Sequence, residues 1–230
     1  MFEQNLQLPA SGFGDLLMAG VALAMGFWTY RFGPSNSRTM LRLWVMAFLF
    51  LFLGGVLGAI LEFTSNTMSD RDKLTGQLFL AAMYMLAGMF QLFGVHEAVD
   101  IGKWNKDLIF GVTGTAFVVL LVSAIVYEHP GLKMYFLLYS SGMALVILLI
   151  NIGKSIKKYQ WFVLGAFLQT LGILVYFMEA SILTISYSLI LNLLMLFGML
   201  AYYMGLFILA RYERATIENS SFFFSGRVSR

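Results

Sequence analysis

The stretch from Leu43 to Phe63, LWVMAFLFLFLGGVLGAILEF, carries no charge until Glu62 and is long enough to cross a bilayer as a helix. About twenty apolar residues rising 1.5 Å each span roughly 30 Å of hydrocarbon. Six more stretches of the same kind follow or precede it, so that helices are expected over residues 14–31, 40–63, 75–96, 107–127, 132–152, 160–179 and 183–210. A single buried soluble helix can be this apolar, but seven in series with short polar joints have lipid as their solvent. The reading is all-α: a polytopic integral membrane protein built as a seven-transmembrane-helix bundle over residues 1–212, with a basic tail over 213–230.

Composition agrees. The 230 residues are 60% hydrophobic and 12% charged, with a mean hydropathy of +0.80, against roughly a quarter charged in soluble domains. There is no cysteine, which removes disulfides, thiolate metal sites and Cys nucleophiles. A formal charge of +3 is too small to imply nucleic acid.

The basic residues give an orientation. Arg31, Arg38, Arg42, Lys103, Lys106, Lys154, Lys157, Lys158, Arg211, Arg214, Arg227 and Arg230 all fall on one side of the seven segments, leaving only Arg71, Lys73 and Lys133 on the other. By the positive-inside rule the richer side is cytoplasmic, the amino terminus outside and the carboxyl terminus inside. Trp28, Trp44, Trp104 and Trp161 fall near the same cytoplasmic ends, where amphipathic rings favour the headgroup layer. Residues 1–13 lack Lys and Arg, so helix 1 reads as an uncleaved anchor exporting a short tail. Phe222, Phe223 and Phe224 among the tail arginines suit contact with an anionic inner leaflet, or a partly disordered end. A compact chain of this kind suits a bacterial inner membrane.

Small residues four apart, at Gly54 and Gly58, Gly20 and Ala24, Ala22 and Gly26, and Ala201 and Gly205, allow close helix approach within the bundle or across a homo-oligomer face. No Lys or Arg lies mid-segment, which argues against a voltage sensor and a retinal Schiff base. The candidate chemistry therefore lies with acids at helix ends. Asp15, Glu62 and Glu179, with Asp70, Asp72, Glu128 and His129 in the adjoining loops, make the outer face acidic. Glu62 follows a glycine-rich run, and a carboxylate there binds a cation through oxygen, acts as a base, or simply reaches to water. Asp15 reads equally as a first-turn acid favoured by the helix dipole, and Glu179 as a helix exit. Among these acids Asp15, Glu62, Asp72 and Glu179 are the outer-face candidates for a ligand or a divalent cation.

On the cytoplasmic side, His96, Glu97 and Asp100 end helix 3. His96 and Asp100 share a face if that helix continues, which offers half a metal site, a proton relay or an interfacial hydrogen bond. With His129 on the opposite side, no multi-histidine metal or haem centre is expected within one chain. Asn192, Gln91, Gln169, Thr170, Tyr84 and Tyr139 with Ser140 and Ser141 are expected to make interhelical hydrogen bonds.

The run Trp44 to Phe63, with Lys73-Leu74-Thr75 leading to Leu86-Ala87-Gly88, resembles a bacterial seven-helix membrane family of unassigned function that is distantly similar to the alkaline ceramidase (CREST) superfamily. The resemblance covers about a quarter of the chain. It implies an amino-terminus-out seven-helix fold and zinc-dependent hydrolysis of lipid amides. The chain departs from the pattern where that chemistry sits: Gly58 and Glu62 replace Ser-x-x-x-His, Asp72 alone stands in for the acid of helix 3, and Ser186 to Asn192 contain no histidine. Zinc-bound water cannot then be assembled in the usual way. Three functions remain open: a non-enzymatic bundle that binds a lipid, a small ligand or a membrane partner; a lipid hydrolase using the outer carboxylates; and a small transporter or channel subunit with Glu62, Glu179 and Asn192 along its path.

Overall fold

A computed structural model describes the backbone of residues 10–33, 38–99, 103–153, 155–178 and 187–225, and side chains over 12–33, 38–99, 105–153, 155–178 and 190–213. The described residues form seven helices and no strand: α1 (Ala10–Phe32), α2 (Arg38–Thr64), α3 (Asp70–Ala98), α4 (Lys103–Val126), α5 (Leu132–Ile152), α6 (Ile156–Phe177) and α7 (Tyr187–Ser225). All seven are long and apolar enough to cross a membrane.

Several boundaries differ from expectation by four residues or more, and three of them bear on the candidate residues or the tail. α1 begins at Ala10, so Asp15 lies past the first turn and is not a dipole-favoured first-turn acid. α3 begins at Asp70 because Ser69 caps it: its hydroxyl accepts from the Asp72 backbone N–H at 3.2 Å and donates to Asp72 Oδ2 at 2.6 Å, a reciprocal arrangement of the capping-box kind. α7 continues through the basic segment to Ser225, since no Gly or Pro interrupts residues 206–225. The expected separate tail is thus largely the last part of a helix.

Helices α1, α2, α3, α5, α6 and α7 contact one another in turn and close into a ring. α4 lies outside it, against α3 and α5, and turns Leu108, Val112, Val119, Val122 and Val126 outward. Two backbone seams hold the ring. On α1/α2, a Cβ at Gly55 would meet the Asp15 carbonyl oxygen at 2.7 Å and the Ala19 methyl at 2.9 Å. On α6/α7, Gly165 and Gly198 approach so closely that a Cβ on either would lie 2.9 or 3.1 Å from the other's carbonyl oxygen. In lipid, where tails are as apolar as leucine, such close packing is what holds helices together. Ala22 and Gly26, and Ala201 and Gly205, pack inside as expected. Gly20 and Ala24 do not: both are exposed, and nothing lies within 4 Å of a Cβ at Gly20.

The half of the ring nearer the basic loops is filled by aromatic rings. Trp44 is fully buried, with ring centroids 5.0 Å from Tyr202, 5.9 Å from Phe162 and 6.0 Å from Phe48. It is a core residue, not the headgroup-layer anchor that its position near a helix end suggested. Gly94 makes room for it, since a Cβ there would touch the indole nitrogen at 2.7 Å.

Candidate functional site

The opposite half of the ring is hollow. A cavity of about 290 Å³ is lined by every ring helix and not by α4. Its polar groups are Asp15 from α1, Glu62 from α2, Tyr84 from α3, Lys133 from α5, Tyr176 from α6 and Asn192 from α7. Its apolar wall includes Met18, Leu80, Met134, Leu137, Ile173, Leu191 and Met195. The helices alternate in direction, so the start of α1, the end of α2, the start of α5, the end of α6 and the start of α7 meet at one end. That end is away from the basic loops.

Glycines make room for three of the polar groups. Gly58 faces Asp15, whose Oδ2 would lie 2.6 Å from a Cβ at that position. Gly54 faces the Tyr84 ring at 3.3 Å, and Gly14 faces Asn192 Nδ2 at 2.9 Å. The pair Gly54 and Gly58 therefore does more than bring two backbones together. It opens space along one face of α2 for a phenol from α3 and a carboxylate from α1. Lys133 extends over the Tyr84 ring, its Nζ 5.6 Å from the centroid, and Asp15 lies in the fields of both Lys133 and Glu62.

Two of the four outer-face candidates, Asp15 and Glu62, thus converge, together with Asn192. Asp72 does not join them: it is exposed and occupied in capping α3. Glu179 lies outside the described residues. Lys133 was read only as a loop cation, and its role in the cavity was missed. The available signal was its place as a lone cation at the start of an apolar segment, on the side where acids dominate.

The cytoplasmic-side candidates do not assemble into one group. α3 ends at Ala98, with Val99 extended, so His96 and Asp100 share no helical face, and Asp100 itself lies outside the described residues. His96 is fully buried, and neither ring nitrogen has a hydrogen-bond partner among the described residues; it is not the interfacial hydrogen-bonded group expected. Its nearest aromatic neighbour is Phe110, with centroids 6.1 Å apart. Glu97 accepts an ion pair from Lys106 at 3.5 Å beside a second, polar cavity of about 240 Å³, lined also by Lys158, Tyr159 and Glu213.

Among the expected interhelical hydrogen bonds, Tyr139 forms one, its hydroxyl lying 3.2 Å from that of Thr113 on α4. Ser140, Ser141 and Thr170 instead donate to carbonyls of their own helices, at Leu137, Leu138 and Ala166. Ser140 also packs beside Gly88. Gln91 and Gln169 are buried, and their side-chain nitrogens have no partner among the described residues; Gln169 lies in the Gly198 seam. Among the described residues, no three of His, Cys, Asp and Glu come together as a metal-holding group.

No family model, curated protein or solved structure matches the chain.

Proposed function

We propose that this is a non-enzymatic membrane protein whose outer-side cavity binds a small amphiphile, either a membrane lipid or a small ligand with an apolar body. In this reading the chain lies in a plasma membrane, the inner membrane of a bacterium, with its amino terminus outside, so that the cavity opens away from the cytoplasm. The observation that carries it is the convergence of six helices on a partly enclosed space with an apolar wall and a few polar groups. That is the common form of a small-molecule site.

Two features favour binding over the alternatives. The other half of the ring is filled by Trp44, Phe48, Phe162 and Tyr202, all almost fully buried, which suits a receptor or carrier of ligand better than an open channel. The cavity lining contains two carboxylates but no imidazole, so the amide hydrolysis implied by the resemblance lacks the histidines on which that chemistry rests.

Native mass spectrometry of the protein released from a mild nonionic detergent tests the proposal. An adduct is expected on the wild-type chain and not on Leu191→Trp, which fills the cavity from α7. An adduct retained by a folded Leu191→Trp chain, or none on the wild type after extraction from its own membrane, would count against it.

A further inference from the structure

The cavity holds charge of both signs. Asp15 and Lys133 act on each other electrostatically, yet no salt bridge joins the two. The Lys133 ammonium lies instead over the Tyr84 ring. A ring face attracts the charge but supplies no lone-pair acceptor for three N–H donors. Asp15 is backed by Gly58 and Gly55 of α2 and turns into the same space. Opposite charges held apart in a partly enclosed cavity each gain from a partner there, because an uncompensated charge drawn out of water is costly.

A singly charged ligand would satisfy one of these groups and exclude water from the other. A divalent cation would bring two further positive charges beside Lys133 and leave its ammonium without an acceptor. A molecule that carries both an ammonium and an oxyanion, oriented against the Asp15 to Lys133 direction, satisfies both. Asn192 can both donate and accept beside it, and Met18, Leu137, Ile173 and Met195 offer an apolar wall to its body.

Resting on the reading of the cavity as a ligand site, we infer that its ligand is a zwitterion: an ammonium set toward Asp15 and Glu62, an oxyanion set toward Lys133, and an apolar body against the α5, α6 and α7 wall. The same chemistry occurs in two sources, the ethanolamine head of a phospholipid and a free apolar amino acid. Either head fits a space of about 290 Å³, whereas two long acyl chains do not and would have to lie outside it.

The test is a ligand series on the purified full chain in an uncharged maltoside detergent, read as the shift in thermal unfolding midpoint with concentration. One series has dioctanoyl tails: phosphatidylethanolamine, the anionic phosphatidylglycerol, a cationic trimethylammonium analogue and uncharged dioctanoylglycerol. The other is leucine, the cation leucinamide and the anion 4-methylpentanoate. In one series the zwitterion is expected to bind at least about tenfold more tightly than either singly charged member, and that series identifies the source. Lys133→Gln should erase the advantage over the cation, and Asp15→Asn the advantage over the anion. The wild-type series decides the matter even if either variant fails to fold.

If singly charged members bind as tightly as the zwitterion in both series, the zwitterion assignment is overturned while the ligand site stands. If no member of either series moves the midpoint, both fall together.

Discussion

Three glycine-to-alanine substitutions along α1 and α2 should separate structural from functional packing. An alanine in a helix interior is favoured over glycine by about 0.5–1 kcal/mol, all else equal. At Gly20, where no atom lies within 4 Å of the added methyl, that gain stands alone, and Gly20→Ala should unfold at or slightly above the wild type. At Gly55 the methyl would meet the Asp15 carbonyl oxygen at 2.7 Å, the Ala19 Cβ at 2.9 Å and the Ala19 nitrogen at 3.1 Å. All three belong to the α1 backbone or sit one bond from it, so no rotamer change relieves them and the helices must part. Overpacking of this kind costs about 1–3 kcal/mol. Net of the propensity gain, Gly55→Ala should lose about 0.5–2 kcal/mol. At Gly58 the obstacle is Asp15 Oδ2 at 2.6 Å, followed by its Cγ at 3.1 Å, and a carboxylate can swing aside. Gly58→Ala should therefore stay near wild-type stability while moving Asp15 within the cavity and weakening ligand binding. Reversible unfolding in mixed micelles, alongside the ligand series, measures both quantities. A Gly55→Ala chain as stable as wild type, or a Gly20→Ala chain as damaged as Gly55→Ala, would refute the assignment of the α1/α2 seam.

Two further outcomes follow from buried groups and from topology. His96→Leu replaces a fully buried ring whose nitrogens have no partner among the described residues with an apolar side chain; removing such groups is worth about 1–3 kcal/mol, so the midpoint should rise, and a clear fall would show that the imidazole is held by a contact of its own. The chain has no cysteine, so single cysteines at the exposed positions Arg71 and Lys157 report orientation cleanly. On intact cells an impermeant maleimide should label Arg71→Cys at once and Lys157→Cys only after permeabilisation, and the reverse order would invert the bundle.

The seven spans were legible because lipid imposes a long, coarse requirement that any window of apolar residues reveals. Finer placements were not, since they depend on which helix stands beside which. Trp44 and Trp28 occupy similar positions near predicted cytoplasmic ends, yet Trp28 is half-exposed and Trp44 fully buried. Only the partner surfaces of Phe162 and Tyr202, distant in sequence, decide between them. Asp15 and Glu62 were readable as acids at the ends of apolar segments, whereas Lys133 gave only the weak signal of a lone cation at a segment start, and its place over Tyr84 depends on α5 standing against α3. His96 and Asp100 looked paired through a helix that in fact stops at Ala98.

Gly54 and Gly58 show why the site itself was hardest to read. Small residues four apart are expected wherever two helices must approach closely, and that demand comes from the backbone. A polar side chain turned into a bundle makes the same demand, because its carboxylate or phenol has to fit where a neighbouring Cβ would stand. Gly55 answers the first need, lying against the α1 backbone, whereas Gly58 and Gly54 answer the second, lying against Asp15 and Tyr84. The two cases differ only in what stands opposite. Along α1 and α2, the glycines that face a cavity-lining polar group of another helix belong to the site, whereas Gly55, which faces backbone, belongs to a seam. On that criterion Gly14, Gly54 and Gly58 belong with Asn192, Tyr84 and Asp15 as parts of the cavity.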